Sequence, residues 1–281
     1  MKKNKTPLLL QLVQWIYPRL EKAVPSLAHR FFVTIFFTPL NYTVPEKEKI
    51  TERQAEKFFL LAGGKKIQCY RWGKGPVILL VHGWAGRATQ FRKIIPALVD
   101  EKFCVVGFDG PAHGHSQGMS TNIEEFEGVL KKICETTGVP EAIIAHSFGG
   151  GAVLYAAMNG LPVKKLINIA SPTIGDEIIH TYLKTINGSA ATGTFFRSYI
   201  KKRTGQPFDN FTALHFVDNL RQKISLLLIH DEDDPEVPIN HALELMKRYP
   251  GANLFKTNGL GHTRILRDER VTQKCISFIK S

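Results

Sequence analysis

The sequence predicts an α/β protein: a mostly parallel central sheet of about eight strands, flanked by helices and interrupted by a helical insertion. From about residue 55 onward, short apolar runs rich in β-branched residues alternate with stretches of helical periodicity. These runs are almost continuously apolar, as expected of strands that are covered on both faces. At 281 residues the chain lies near the upper limit for one hydrophobic core, so we expect one main domain with an insertion.

The first two predicted strands form a hairpin. Residues 57–61 pair with 66–72 across Gly63 and Gly64, which tolerate the positive φ of a tight turn. Five buried strands and one edge strand follow along the chain, at 77–81, 103–108, 142–145, 166–170, 225–229 and 253–255. The helical insertion interrupts this series between the strands at 166–170 and 225–229, because residues 171–223 contain no convincing buried strand.

Helical periodicity is clearest at residues 121–137, where apolar side chains recur on one face. Thr121 and Glu124 have the spacing of a capping box, and Gly138 is a typical C-terminal residue. Further helices are expected at 238–249, beginning with a proline that needs no donor there, and at 270–280. The insertion contains helical stretches around 177–186, 194–203 and 211–220.

These patterns predict three parts of the chain. A helical extension covers residues 1–54, a core is formed by 55–170 and 224–281, and a helical cap by 171–223. The extension starts with three lysines and an apolar run that resembles a secretion signal, but Gln11 and Gln14 interrupt it and no cleavage site follows. The apolar stretch 31–37 is also shorter than the roughly 20 residues that a spanning helix needs. We favour two helices packed on the main domain; an interfacial amphipathic anchor, with peripheral membrane contact, is the alternative.

The composition, 43% hydrophobic and 22% charged, is that of an ordinary globular protein. The formal charge of +12 suits an anionic substrate, an acidic membrane or nucleic acid. Because the only dense basic run is residues 201–203, we expect no nucleic-acid binding. The four cysteines are far apart in sequence, and we expect them to be reduced, which favours a cytoplasmic location.

The first chemically informative motif is AHSFGG at residues 145–150, between a predicted strand and a predicted helix. A serine on such a sharp turn projects its hydroxyl above the sheet, and the helix start supplies N–H donors. Gly149 leaves room for the close approach of strand and helix. Ala145 replaces the first glycine of the usual GxSxG pattern, and alanine is the smallest substitute. Ser147 is therefore the candidate nucleophile, with helix capping as the structural alternative.

The second motif runs from a buried strand into a His-Gly turn at residues 77–86. Acyl transfer needs two preorganised donors for the developing oxyanion. We assign this role to the backbone N–H groups of Trp84 and Phe148. His82 is interpreted as a structural residue that braces the turn.

An acidic cluster and a loop histidine complete the set of candidates. Four acids follow the strand at 225–229, the position where catalytic groups gather in open α/β sheets: Asp231, Glu232, Asp233 and Asp234. The DPxVP ending favours Asp234 as the orienting carboxylate; Asp231 and Asp233 are alternates, and a surface charge run is the structural interpretation. His262 lies in a glycine-flanked loop before the last helix. The order Ser, Asp, His makes it the candidate general base.

Together these motifs resemble those of the α/β-hydrolase superfamily, from about residue 55 to the end, with residues 171–223 at the position of the family's variable cap. The segment FDGPAHGHS at 108–116 resembles the family's DxxGHGxS loop, in which Asp109 and His113 would be structural. The resemblance implies a serine hydrolase that acts on carboxylic esters through an acyl-enzyme. The sequence contains no HExxH motif and no clustered set of Cys and His ligands, so we expect neither a cofactor nor a metal. The expected substrate is a small-molecule ester or other acyl compound.

Other activities of the same fold stay open at this stage. Thioesterase, amidase and carbon–carbon bond hydrolase all use a serine nucleophile, and fold does not determine substrate. A catalytically silent scaffold, recruited to membranes by the basic, Phe-rich N-terminus, is a hypothesis of a different class. The aromatic residues of the cap are interpreted mainly as its core, with an apolar acyl pocket as the alternative. The sequence does not predict the oligomeric state.

Overall fold

A computed structural model describes residues 8–281, apart from the side chain of Leu9. The three lysines of the extension, Lys2, Lys3 and Lys5, lie outside the described residues. Eight strands form one sheet, in the order β1-β2-β4-β3-β5-β6-β7-β8. The strands are β1 (Glu56–Ala62), β2 (Lys65–Trp72), β3 (Val77–Val81), β4 (Cys104–Phe108), β5 (Ala142–His146), β6 (Lys165–Ile169), β7 (Ser225–Asp231) and β8 (Asn253–Thr257). This confirms the predicted sheet.

Strands β3 to β8 run parallel, whereas β1 and β2 form the antiparallel hairpin and β2 pairs antiparallel with β4. β5 is fully buried between β3 and β6, with Leu80 opposite Ile144 and Ile144 opposite Ile167. Because a parallel sheet is covered by helices on both faces, its central strands are apolar throughout. Because these strands are parallel, the carboxyl ends of β3, β5 and β7 lie along one edge of the sheet. The loops that leave these ends carry the candidate site.

Twelve α-helices are found among the described residues: α1 (Leu8–Ala23), α2 (Pro25–Phe37), α3 (Glu46–Arg53), α4 (Ile94–Asp100), α5 (Ile123–Thr137), α6 (Phe148–Met158), α7 (Gly175–Ile186), α8 (Ala190–Thr204), α9 (Ala213–Asp218), α10 (Asn240–Arg248), α11 (Gly261–Arg264) and α12 (Glu269–Lys280). Short 3₁₀ helices occur at Ala88–Phe91, Phe208–Phe211 and Ile265–Arg267. No helix of the described residues is both long enough and apolar enough to cross a membrane.

Two predicted helix starts are wrong. The capping box at Thr121 does not form, because Asn122 has extended backbone angles and its side chain accepts from the Glu125 N–H at 2.9 Å. α10 begins at Asn240 and not at Pro238, since the Pro238 carbonyl accepts from the His241 N–H, one residue short of the α-helical spacing.

The contacts divide the chain into two compact units. The sheet unit comprises Pro39–Thr173 and Thr212–Ser281 and includes α3 and α9. α3 belongs there because Trp72 Nε1–H donates to the Thr51 carbonyl at 2.9 Å and the Thr89 hydroxyl donates to Glu48 at 3.1 Å. These limits differ from the predicted ones at 54, 171 and 223, because α3 and α9 have their packing partners around the sheet.

The helical unit comprises the described residues through Thr38 together with Ile174–Phe211. Its core is aromatic: the ring of Phe196 lies 5.3 Å from that of Phe32, 4.3 Å from Phe36 and 5.6 Å from Phe208. The Tyr17 hydroxyl hydrogen-bonds to Thr192 Oγ1 at 2.9 Å. The first two helices of the chain thus share one core with α7 and α8, the helices of the insertion.

Candidate active site

Ser147 lies at the turn between β5 and α6, with φ 52° and ψ −124°. A positive φ is costly for a residue with a side chain, so the surroundings must hold this conformation. The Ser147 N–H donates to the Ile169 carbonyl at 2.8 Å, and the Ser171 hydroxyl donates to the Ser147 carbonyl at 2.7 Å. Ala145 remains in the ladder of β5, opposite Val81, and is fully buried. The alanine that replaces the usual glycine therefore fits without disrupting the turn.

Two glycines bring this turn close to the end of β3. A Cβ on Gly149 would lie 2.6 Å from the carbonyl oxygens of both Val81 and His82. A Cβ on Gly83 would lie 2.8 Å from the Cβ of Ser147. Both distances are shorter than any side chain tolerates, so glycine is required at each position. The role predicted for Gly149 is confirmed, and the loop after β3 lies directly beside Ser147.

The structure brings the three triad candidates together in one chain of hydrogen bonds. His262 Nε2 lies 3.1 Å from Ser147 Oγ, and His262 Nδ1 lies 2.8 Å from Asp234 Oδ2. Since a carboxylate can only accept, Nδ1–H is the donor to Asp234, which leaves Nε2 as the acceptor for the serine hydroxyl. His262 and Asp234 are both buried. The arrangement has the atoms in the order required for proton transfer from serine to imidazole.

Asp234 is held as a carboxylate. Burial by itself raises its pKa, but hydrogen bonds from His262 and from the Val237 and Glu236 N–H groups outweigh burial and hold the pKa below its ordinary value. Its two oxygens are divided: Oδ1 accepts from the backbone and Oδ2 from the imidazole. The carboxylate is therefore both charged and fixed in orientation.

The alternate acids have other contacts. Asp231, fully buried, accepts from the N–H groups of Leu260 at 3.0 Å and Gly261 at 2.9 Å, and from the Thr257 hydroxyl at 2.7 Å. Asp233 accepts from the Gly259 N–H at 3.0 Å. Both carboxylates thus hold the loop that carries the histidine, whereas Asp234 contacts the imidazole itself.

The two predicted oxyanion donors lie at the start of the turn after β3 and at the first residue of α6. The Trp84 and Phe148 rings pack edge to face with centroids 5.3 Å apart. Among residues 8–281, neither backbone N–H donates to another protein group. An N–H at the first helical position has no acceptor within its own helix. Both donors are therefore available to a bound group.

His82 and His113 are neutral imidazoles that connect the loop after β3 with the loop after β4. His82 Nδ1–H donates to the Gly83 carbonyl at 2.7 Å, and Nε2 accepts from the Gly110 N–H at 2.7 Å. His113 Nε2 accepts from the Ala85 N–H at 3.1 Å. Burial lowers the pKa of His82 to about 4 and that of His113 to about 3. The structural interpretation of both residues agrees with these contacts.

Asp109 anchors the same loops. It accepts from the Tyr70 hydroxyl, the Ala88 N–H and the His115 N–H, each at 3.0 Å. Burial raises its pKa despite these donors. It has no contact with His262, as expected of a structural residue.

His146, immediately before the nucleophile candidate, escaped the sequence reasoning. Its Nε2–H donates to the backbone carbonyl of His262 at 2.9 Å, and the two rings lie 4.8 Å apart. Burial, with a further effect of the nearby His262, lowers the pKa of His146 to about 3. A polar residue at the end of a buried strand, next to the serine, was the available signal. His146 therefore holds the backbone of the loop that carries His262.

No metal site accompanies these groups. Within the part of the chain that the structure describes, no cluster of three or more His, Cys, Asp or Glu side chains is arranged to hold a metal ion.

Two family models match the chain. One, described as the alpha/beta hydrolase fold, matches residues 76–211, and the other, described as TAP-like protein, matches residues 204–281. Together with the sheet order, these matches show that the chain belongs to the α/β-hydrolase superfamily.

Individual relatives are similar over shorter stretches. The chain is 36% identical over 99 residues to the magnesium-chelatase 30 kDa subunit of Rhodobacter capsulatus, a match that covers 34% of each chain. It is 33% identical over 99 residues to the pimeloyl-[acyl-carrier protein] methyl ester esterase of Stenotrophomonas maltophilia, covering 35% of this chain and 37% of the relative. The matches thus span about a third of these curated relatives.

Among solved structures, an esterase of Pyrococcus furiosus superposes with a TM-score of 0.65 at 17% identity, covering 86% of this chain and 96% of the esterase. This similarity concerns the fold.

Proposed function

We propose that this protein is a serine hydrolase that cleaves carboxylic esters through an acyl-enzyme. The observation that carries the proposal is the continuous hydrogen-bonded chain from Ser147 Oγ through His262 to Asp234, with distances of 3.1 and 2.8 Å. In this proposal Ser147 is the nucleophile, His262 the general base and Asp234 the orienting carboxylate. The substrate is a small-molecule ester, and no cofactor takes part.

In the first half-reaction, His262 Nε2 takes the hydroxyl proton of Ser147 while Oγ attacks the acyl carbonyl. The carbonyl oxygen becomes an oxyanion and accepts from the backbone N–H groups of Trp84 and Phe148, which are otherwise without protein acceptors among residues 8–281. The imidazolium then gives its proton to the leaving alcohol, and the carbon–oxygen bond of the ester breaks. An acyl-serine remains.

In the second half-reaction, His262 takes a proton from water, and the resulting hydroxide attacks the acyl-serine. The acid departs when the imidazolium returns the proton to Ser147 Oγ. In both halves Asp234 keeps the proton on Nδ1 and stabilises the imidazolium, without itself becoming protonated. Its depressed pKa supports this role, because the carboxylate must stay charged when the imidazole is neutral.

An ester is favoured over other acyl compounds by the similarity to proteins named as esterases, one a relative in sequence and one in structure. A serine nucleophile with two amide donors equally suits thioesters and amides, so these are the competing substrate classes for the same site.

We also propose a cytoplasmic location, on the grounds that Cys69, Cys104 and Cys275 are buried, unpaired thiols.

The deciding experiment is covalent labelling by a fluorescent fluorophosphonate, side by side with hydrolysis of p-nitrophenyl esters of increasing chain length. The wild type is expected to be labelled and to turn over the esters, and Ser147→Ala to do neither. A matched panel of thioesters and anilides then ranks the substrate classes. If a folded wild type neither labels nor turns over any of these compounds, the proposal is wrong and the hypothesis of a catalytically silent scaffold is favoured.

A further inference from the structure

α1 carries apolar side chains on two faces, although packing requires only one. Its inner face, with Val13, Tyr17 and Leu20, contributes to the aromatic core of the helical unit. A second face exposes four large apolar side chains at helical spacing: Leu8, Leu12, Trp15 and Ile16, between 41 and 83% exposed. The core of the helical unit does not account for this second face.

Further exposed apolar side chains lie on α2 and on the residue before it. Val24, Leu27 and Phe31 recur at a spacing of three and four residues and are 39 to 53% exposed. The Phe31 ring stacks on that of Tyr17 with centroids 6.3 Å apart, so the exposed edge of α2 borders α1. We call these seven residues the outer face: Leu8, Leu12, Trp15, Ile16, Val24, Leu27 and Phe31. They are seven of the fifteen exposed large hydrophobic side chains among the described residues, concentrated in 24 positions.

The charges on α1 and α2 are mainly basic. Residues 1–38 contain six basic side chains and one acidic, a large share of the chain's formal +12. Arg19, Lys22 and Arg30 are exposed on α1 and α2. The single acid, Glu21, is used internally, where it accepts from the Ser189 N–H and hydroxyl and from the Thr192 hydroxyl.

Exposed apolar side chains together with basic charges indicate which partner fits the outer face. Two copies of the outer face would bring like charges together in a symmetric dimer, which disfavours self-association. An anionic bilayer complements it, because apolar side chains enter the acyl boundary while basic ones meet the headgroups. Trp15 has the amphipathic ring that suits this depth, and the Arg19 guanidinium lies 4.1 Å above it. We propose that the outer face docks this protein on the surface of an anionic lipid bilayer.

Co-sedimentation of the full chain with lipid vesicles tests the proposal, and it requires no catalysis. Vesicles of phosphatidylcholine with phosphatidylglycerol should carry the protein down at low salt, and pure phosphatidylcholine vesicles should carry down much less. The variant Leu12→Gln/Trp15→Gln/Ile16→Gln should lose about tenfold or more in partitioning to the anionic vesicles. Arg19→Gln/Lys22→Gln should lose several-fold, and high salt should have the same effect.

A control replaces three apolar side chains of the sheet unit that are at least 50% exposed, Phe59→Gln/Leu61→Gln/Met119→Gln. It should bind like the wild type. Trp15→Phe keeps the apolar contact and should still sediment, but the blue shift of tryptophan emission on vesicles should be lost.

Three outcomes overturn the proposal: a wild type that stays in the supernatant with anionic vesicles, a control variant that loses as much binding as the outer-face variant, or a wild-type dimer in solution that the outer-face variant dissociates. The last assigns the face to a second copy. Thermal unfolding of each variant shows whether it is folded. None of these measurements depends on esterase activity, so the proposal stands or falls separately from the proposed function.

Discussion

The surroundings of Ser147 and the outer face of α1 and α2 invert the usual distribution of side chains in opposite ways. At the carboxyl edge of the sheet, carboxylates and imidazoles such as Asp231, Asp234 and His82 are buried and tied by hydrogen bonds. On the outer face, leucines, an isoleucine and a tryptophan are exposed. Burying a polar group costs stability unless it is paired, and an exposed apolar patch gains nothing from folding. In each region, therefore, stability alone does not explain which side chains are buried and which are exposed.

The largest effect is expected at the nucleophile. Ser147→Ala should lower kcat by about 10⁴-fold or more while leaving the free energy of unfolding nearly unchanged, because the hydroxyl serves the reaction and not the fold. Ester hydrolysis and urea unfolding of the same preparation measure both quantities. Residual activity within tenfold of the wild type would contradict the assignment of Ser147.

The next largest effect should distinguish the two buried acids, Asp234 and Asp231, by their effects on kcat and on stability. Asp234→Asn should lower kcat by about 10³- to 10⁴-fold through loss of the correct imidazole tautomer, with the fold retained. Asp231→Asn removes an acceptor of several loop donors, so it should destabilise the protein by about 1–3 kcal/mol and reduce kcat much less. Steady-state kinetics and urea unfolding compare the pair; a reversed pattern would make Asp231 the orienting acid.

Acid should destabilise the sheet unit in a defined window. His82, His113 and His146 have folded-state pKa values of about 4, 3 and 3, below the ordinary value for histidine. As the pH falls below about 6.5, the unfolded chain binds protons that the folded state does not, at a cost of about 3 kcal/mol per histidine by pH 4. Above that window the contribution vanishes. Urea unfolding between pH 7 and 4 should follow this fall, and a flat profile would contradict buried neutral imidazoles.

His146 should act on the reaction through His262. His146→Ala removes the donor to the His262 carbonyl and should lower kcat by about tenfold with KM little changed, since the base is misplaced but the substrate contacts remain. His146→Gln can place an amide N–H near the same carbonyl and should recover most of this loss. Equal kcat losses for both variants would indicate a packing role only.

The smallest effect is expected on the outer face. The triple glutamine variant of Leu12, Trp15 and Ile16 should change the free energy of unfolding by no more than about 0.5 kcal/mol per site, because these side chains are exposed. Hydrolysis of a water-soluble ester should also be unchanged. A large loss of stability in thermal unfolding would show instead that the face is part of the packed core.

Several features of the site could be predicted from local sequence because they depend on neighbours in the chain. A strand covered on both faces must be apolar, so the runs that became β3 to β7 stand out. The serine between strand and helix is similarly local. Near neighbours of one type are harder to separate. The DPxVP ending favours Asp234 but leaves Asp231 and Asp233 as alternates, and only the path of the turn after β7 directs one carboxylate to the imidazole and two to the backbone.

By itself, the sequence determined the α/β class, the eight strands, the serine turn and the histidine loop, because periodicity and turn chemistry act over a few residues. Only the tertiary structure decided which acid meets His262, that His146 holds its backbone, and that α1 and α2 share a core with α7 and α8. The first two depend on pairings across 28 and 116 residues. The third depends on aromatic surfaces about 160 residues apart, such as Phe32 and Phe196, whose attraction is apolar and non-directional and leaves no local pattern.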